Sequence, residues 1–186
     1  RNRVRCRGVS AGDKYCAEGL PCVRSEVLMR FISAKTVFQI ERRAVARMEK
    51  YKQRYPWSKE AGGILLGRLV LNERAIIVED VTVPDRYDIR RRQFFRRSKH
   101  RAQICVDSVW RKSKGIVNYL GEWHTHPEDD PSPSSVDLEN WRRITREVQC
   151  VQDNLIAIIV GRKQMRAWVL NKKSGLAKEL TSARTS

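Results

Sequence analysis

Apolar residues change their spacing along this chain, and each change marks an element. Phe31-Ile32 reads as a short strand. Ser33 stands where a helix cap is wanted, and Val37, Ile40, Ala44, Met48 and Tyr51 then return at helical spacing with Arg and Lys between them, up to Pro56. Gly62 to Val70 and Ala75 to Val83 read as a pair of strands, with Glu73 in the turn, Glu60 at the mouth of the hairpin and Pro84 closing it. Ala102 to Arg111 has helical character, although Ile104, Ser108 and Trp110 do not share one clean face. Ile116, Val117, Tyr119 and Leu120 open a strand that must stop at Pro127, which has no N–H for a ladder and is followed by Pro131 and Pro133. Alternation along that strand turns Glu122, His124 and His126 to one side and Trp123 to the other.

A helix follows with Ser134 as its cap, and Asp137, Trp141, Ile144 and Val148 fall along one side of it. Leu155 to Val160 and Arg166 to Leu170 read as strands joined by the turn Gly161-Arg162-Lys163-Gln164, and the polar segment 172–186 is expected to fray as a C-terminal tail. This order of strands and helices predicts an α/β fold with a mixed central sheet flanked by helices.

Composition narrows the class. With 186 residues, 41% of them hydrophobic, one globular domain is expected. No apolar run approaches the roughly 18 residues of a membrane span; the longest clean one, Leu155 to Val160, is short, so a membrane-embedded protein is excluded. Residues 1–28 lack periodicity and carry Cys6, Cys16 and Cys22 at spacings that fit no standard metal pattern; they read as a disordered or non-native extension, leaving 29–171 as the domain. Cys105 and Cys150 lie in apolar surroundings and read as core residues, and five cysteines without an export signal suit a reducing cytoplasm.

The net charge of +17 asks for a polyanionic partner or is simply a basic surface. It is densest around Phe94 and Phe95, where Arg90, Arg92, Arg96 and Arg97 are candidates for substrate binding. Arginines among aromatics are also a nucleic-acid footprint, and equally a solvated loop whose rings tuck inward. A loop that gathers a partner's acidic or carboxylate groups fits an enzyme better.

The chemistry concentrates in Gly121 to Asp137. A carboxylate at Asp137, on the buried side of its helix, is costly unless a cation meets it. Zinc would, since neutral imidazoles and a carboxylate are its usual ligands, and His124, His126 and Asp137 make three. Each piece has a plainer meaning: His-x-His is an ordinary strand pair, Ser-x-x-Asp a capping box, and Gly62 to Gly67 a buried strand.

Together, His-x-His, seven residues, Ser, two residues, Asp resembles the signature of the JAMM (MPN+, JAB) metalloproteases, and Glu60-Ala61-Gly62-Gly63-Ile64-Leu65-Leu66-Gly67 resembles that family's Glu-x-x-Gly-apolar strand. The resemblance spans about residues 30–170 and implies a cytidine-deaminase-like architecture, zinc on His124, His126 and Asp137, Glu60 as general base and then acid, and Ser134 as donor to the developing oxyanion. Glu122 shares the histidine face and is a rival base; we read it as the partner that orients an imidazole. His100, alone in the basic stretch, should face solvent. Within the family, Gly121-Glu122-Trp123-His124-Thr125-His126-Pro127 and the compact size resemble the JAB isopeptidases of bacterial CBASS anti-phage operons and their relatives on integrative and conjugative elements. That likeness implies a protein substrate bearing the tail of a ubiquitin-like protein or a CD-NTase, and an E1/E2-like operon partner. Two other readings are a nucleic-acid-associated protein of the RadC type, suggested by the charge, and a non-catalytic MPN scaffold, which generally lacks the ligands present here. A Cys-His hydrolase is the weakest, because neither Cys105 nor Cys150 has an evident base.

Overall fold

The computed structural model describes residues 27–33, 36–71, 74–150 and 152–183. In chain order the elements are β1 (Val27–Ser33), β2 (Thr36–Glu41), α1 (Arg42–Glu49), β3 (Gly62–Val70), β4 (Ala75–Val81), β5 (Ile89–Arg91), β6 (Phe94–Arg96), α2 (Lys99–Lys112), β7 (Asn118–Thr125), α3 (Ser135–Glu147), β8 (Asn154–Val160), β9 (Met165–Asn171), β10 (Ala177–Glu179) and β11 (Thr181–Ala183). One sheet runs β10-β9-β8-β7-β3-β4-β2-β1-β11, and β5-β6 form a separate ribbon. The β2-β4 and β7-β8 pairs are parallel and the others antiparallel, so the sheet is mixed. This is the expected α/β class.

β8 is apolar at every position after Asn154, as a strand covered on both faces must be. Ile156, Ile158 and Val160 join a core with Met48, Val45 and Ala44 of α1, while Leu155, Ala157 and Ile159 pack with Trp141 and Ile144 of α3 and Ala102 and Val106 of α2. Helices therefore cover opposite faces of the sheet. β7 belongs to both cores but changes parity partway. Leu120 and Trp123 face α1, whereas Tyr119 lies on the other side with Glu122. A register shift in the β3-β7 ladder at Gly121 makes the switch. Gly121 has φ +149 and a side chain there would strike the Ile156 carbonyl, so only glycine serves.

Three expectations are corrected. Ser33 is the last residue of β1 and caps no helix: Thr36–Glu41 is a strand beside β4, and the helix begins only at Arg42. Val37, Ile40 and Ala44 satisfy a helical spacing, but Phe38 and Ile40 are buried two apart, and pairing with β1 on one side and β4 on the other decides in favour of the strand. The tail does not fray through its length. Residues 177–183 form β10 on β9 and β11 on β1, with Leu180 buried at the crossing and its N–H bonded to the Ala167 carbonyl, so this segment joins the two outer strands of the sheet. Val27 and Leu28, placed before the domain by the sequence, belong to β1. Cys6, Cys16, Cys22 and Glu73 lie outside the described residues.

Elsewhere the differences are small. Ser98 accepts from the Arg101 N–H and starts α2 three residues ahead of the predicted Ala102. Cys105 and Cys150 are half-buried, His100 is exposed, and Trp123 is buried with its indole N–H on the Thr82 carbonyl. Among the described residues no helix is long and apolar enough to cross a membrane.

Candidate metal centre

β7 delivers His124 near its end, and His126 follows where the chain leaves the sheet, tied by its N–H to the Val160 carbonyl of β8. The loop beyond is clamped. Arg162 N–H and Lys163 N–H bond the Glu128 and Asp129 carbonyls, both of their side chains pair with Asp129, and Arg166 reaches Asp130 and the Pro131 carbonyl. The loop thus returns to the sheet at a fixed place, where α3 begins. Ser134 and Asp137 make a reciprocal capping box: the Ser134 hydroxyl accepts from the Asp137 N–H, and Asp137 Oδ2 accepts from the Ser134 N–H.

That plain reading and the metal reading describe the same carboxylate. Asp137 Oδ1 lies 3.1 Å from His124 Nε2, its Oδ2 lies 3.3 Å from His126 Nε2, and the two Nε2 atoms are 3.1 Å apart. Zinc with ligands at about 2.0–2.1 Å in tetrahedral array has ligand-to-ligand edges of about 3.3–3.4 Å. The His–His contact and both His–Asp contacts are near that length, with Asp137 offering a different oxygen to each imidazole, and all three side chains are largely buried. Glu60 stands beside it, with its carboxylate within 4.8 Å of both histidine nitrogens. The donor set fits a divalent zinc-like ion with one position left over.

The electrostatics agree with a cluster that wants a cation. Burial opposes charge on Asp137, but hydrogen bonds from His124 and His126 overcome it and hold the carboxyl far below the usual carboxylate range. Burial likewise opposes a charged His126, yet the Asp137 carboxylate bonded to it raises that imidazole's pKa. Glu60 moves upward, because burial outweighs the pull of the two histidines. A carboxyl moved toward neutral pH beside metal ligands suits proton transfer.

Glu60 is set by the strand that follows it. Its N–H bonds the Arg91 carbonyl of β5, and Gly62 lets Phe95 of β6 lie where a side chain would collide with it. Behind both runs a buried network that the sequence did not disclose. Gln53 donates to the Ser58 and Arg92 carbonyls and accepts from the Thr125 hydroxyl, which in turn accepts from the Ala61 N–H. One side chain therefore links the loop before Glu60, the β5-β6 ribbon and the residue between the two histidines. Only the missing charge on an otherwise basic stretch marked Gln53.

The remaining candidates separate. Glu122 is bonded to Arg97 and to the Tyr119 hydroxyl rather than to an imidazole; the acidic group nearest His126 Nδ1 is Glu128, at 3.9 Å. Arg90 bonds the Glu60 and Lys59 carbonyls and lies over the Tyr51 ring, and Arg97 pairs with Glu122 on the wall of the cleft. Arg92 and Arg96 are exposed. Ser134 donates its hydroxyl hydrogen to Asp137 Oδ2 at 2.6 Å. A cleft of about 480 Å³ opens on Glu60, His124 and Asp137, walled by Phe94, Phe95 and Arg96 on the ribbon side and by Trp141 and Ile144 of α3.

Residues 41–171 match the family model described as prokaryotic homologs of the JAB domain. The chain belongs to the prokaryotic JAB family. This JAB domain is similar to proteins named CD-NTase/cGAS isopeptidase. The one from Pseudomonas aeruginosa is 32% identical over 143 residues, covering 74% of this chain and 89% of the relative. The one from Escherichia coli is 34% identical over 136 residues, covering 73% and 82%. The one from Vibrio cholerae is 37% identical over 134 residues, covering 71% and 80%. Among solved structures, a Desulfitobacterium hafniense protein determined in solution shares the fold, with a TM-score of 0.52 at 22% identity, over 76% of this chain and 88% of that one.

Proposed function

We propose that this JAB domain is a zinc-dependent isopeptidase that cuts after the C-terminal residue of a CD-NTase conjugated to a target amine, reversing the conjugation in an anti-phage system. The carrying observation is the set of 3.1 to 3.3 Å contacts that join His124, His126 and Asp137, with Glu60 alongside. The relatives' shared name supports the substrate class.

Zinc held by His124, His126 and Asp137 would supply a Lewis acid and make water acidic enough to be a nucleophile near pH 7. Glu60 takes one proton from the attacking water. The hydroxyl adds to the acyl carbon, the carbon–nitrogen bond breaks, and the same carboxyl passes the proton to the departing amine. Ser134 orients Asp137 and, when its hydroxyl turns toward the cleft, donates to the developing oxyanion. The cleft's aromatic walls hold the substrate tail and keep bulk water away.

The test is a CD-NTase fused through its C-terminus to a reporter. Cleavage at the junction is expected, lost with a chelator or in Glu60→Gln, and restored by zinc in the wild type. An intact fusion in the presence of zinc would overturn the reading.

A further inference from the structure

Three residues before Glu60 the chain exposes two aromatic rings. Trp57 is 76% and Tyr55 59% accessible, and their rings stack at 5.2 Å with planes 3° apart. Exposed aromatics scattered singly need no explanation, but these are a pair fixed in place. Pro56 lies between them, the Ser58 hydroxyl accepts from the Tyr55 N–H, the Ser58 N–H returns to the Tyr55 carbonyl, and Gln53 holds the Ser58 carbonyl from beneath. The ordering cost a partner would otherwise bear is already met.

The pair also has a charged border. Arg54 and Lys59 flank it in the same loop, and Arg91, at the end of β5, and Arg92, in the turn of the ribbon, offer their carbonyls to the Glu60 N–H and to Gln53. All four are exposed, and none takes part in an ion pair among the described residues. A rigid Tyr–Trp centre with cations around it has the composition of a binding hot spot, and its charge selects an acidic partner. With three residues spanning at most roughly 11 Å, a body seated there lies next to Glu60.

We propose that the Tyr55–Trp57 pair and its bordering cations are the docking surface for the folded body of the protein substrate, an acidic face of the CD-NTase, separate from the cleft that takes its tail. This rests on the isopeptidase reading above. The surface sets affinity for the whole protein, and the cleft sets the chemistry.

Two fusions separate these roles: a reporter joined to the full CD-NTase, and the same reporter joined only to a short peptide from its C-terminus. Trp57→Ala and the charge reversal Arg54→Glu with Lys59→Glu should each raise KM for the full fusion about tenfold with kcat unchanged, and leave peptide cleavage as it was. A tenfold effect corresponds to about 1.4 kcal/mol, modest for a buried Trp anchor. Equal effects on both fusions, or on neither, would overturn the proposal. Calorimetric titration with a CD-NTase lacking its tail judges the surface without cleavage: binding that weakens with salt and in both variants supports it, and absent or unaltered binding overturns it. If the variants lose binding to a single-stranded oligonucleotide but not to the protein, the surface is a nucleic-acid site and the proposal fails. Should neither fusion be cut by the wild type, the isopeptidase reading fails, and the tailless titration still decides the docking surface.

Discussion

Ser134 and Asp137 hold each other in both directions: the serine hydroxyl donates to Asp137 Oδ2 at 2.6 Å, and the Asp137 N–H returns to the serine oxygen at 3.2 Å. Helix start and metal ligand are thus one object. Ser134→Ala removes the cap and frees the carboxylate, so a stability loss of about 1 kcal/mol is expected with a much larger fall in kcat, on the order of a hundredfold. Urea unfolding beside single-turnover cleavage checks it; a fall in kcat no greater than the stability loss explains would leave Ser134 with a capping role only.

Gln53 is buried and satisfies two backbone carbonyls while accepting from Thr125. Gln53→Leu keeps the volume and strands these partners, at about 2–3 kcal/mol. Because the network reaches the residue between His124 and His126, zinc affinity should drop as well. Gln53→Glu, which turns a buried carboxylate oxygen toward the same two carbonyls, should cost at least as much. Denaturant titration and chelator competition read both quantities.

Without metal, the cluster's own titration shapes stability. Asp137 is held below its ordinary 3.8, so its contribution is present above that pH and lost as the pH falls toward its folded value. His126 is raised above 6.5, so its contribution is full below 6.5 and lost as the pH rises through the folded value. Glu60, raised above 4.5 by burial, adds a loss in the same upward direction. Chelated protein should therefore be most stable in mildly acid buffer, between those limits. Zinc needs neutral imidazoles, so loading should move the optimum upward. Thermal melts across pH, with and without zinc, test this; an optimum unmoved by zinc would count against ligation by His126.

Arg97 and Glu122 form a largely buried ion pair along the cleft wall. Removing one partner leaves the other charged and desolvated, so Arg97→Met should cost about 3 kcal/mol, and Glu122→Leu placed on top should recover much of it. A double-mutant cycle measures the coupling. Near-additive effects would show that the two charges do not depend on each other.

The sequence disclosed the parts whose chemistry is local. Ser134 and Asp137 are three apart on one helix, His124 and His126 two apart at a strand end, and both strand pairs show as apolar runs. What it hid depends on partners distant in the chain. Thr36–Glu41 looked helical because its apolar spacing fits a helix, and only its place between β1 and the distant β4 makes it a strand. Glu122 shares a face with His124, yet Arg97, 25 residues earlier, claims it. The tail looked unstructured because Ala177–Glu179 and Thr181–Ala183 carry little apolar character and gain their order from β9 and β1.

That last arrangement has a consequence for how the domain comes apart. With Phe31 of the first strand opposite Ser182 of the last, both ends of the domain are stitched to each other. β11 shields one edge of β1 while β2 holds the other, so a stop codon at Ala177 should speed amide exchange in the N-terminal strand some 145 residues away, on the edge that faced β11.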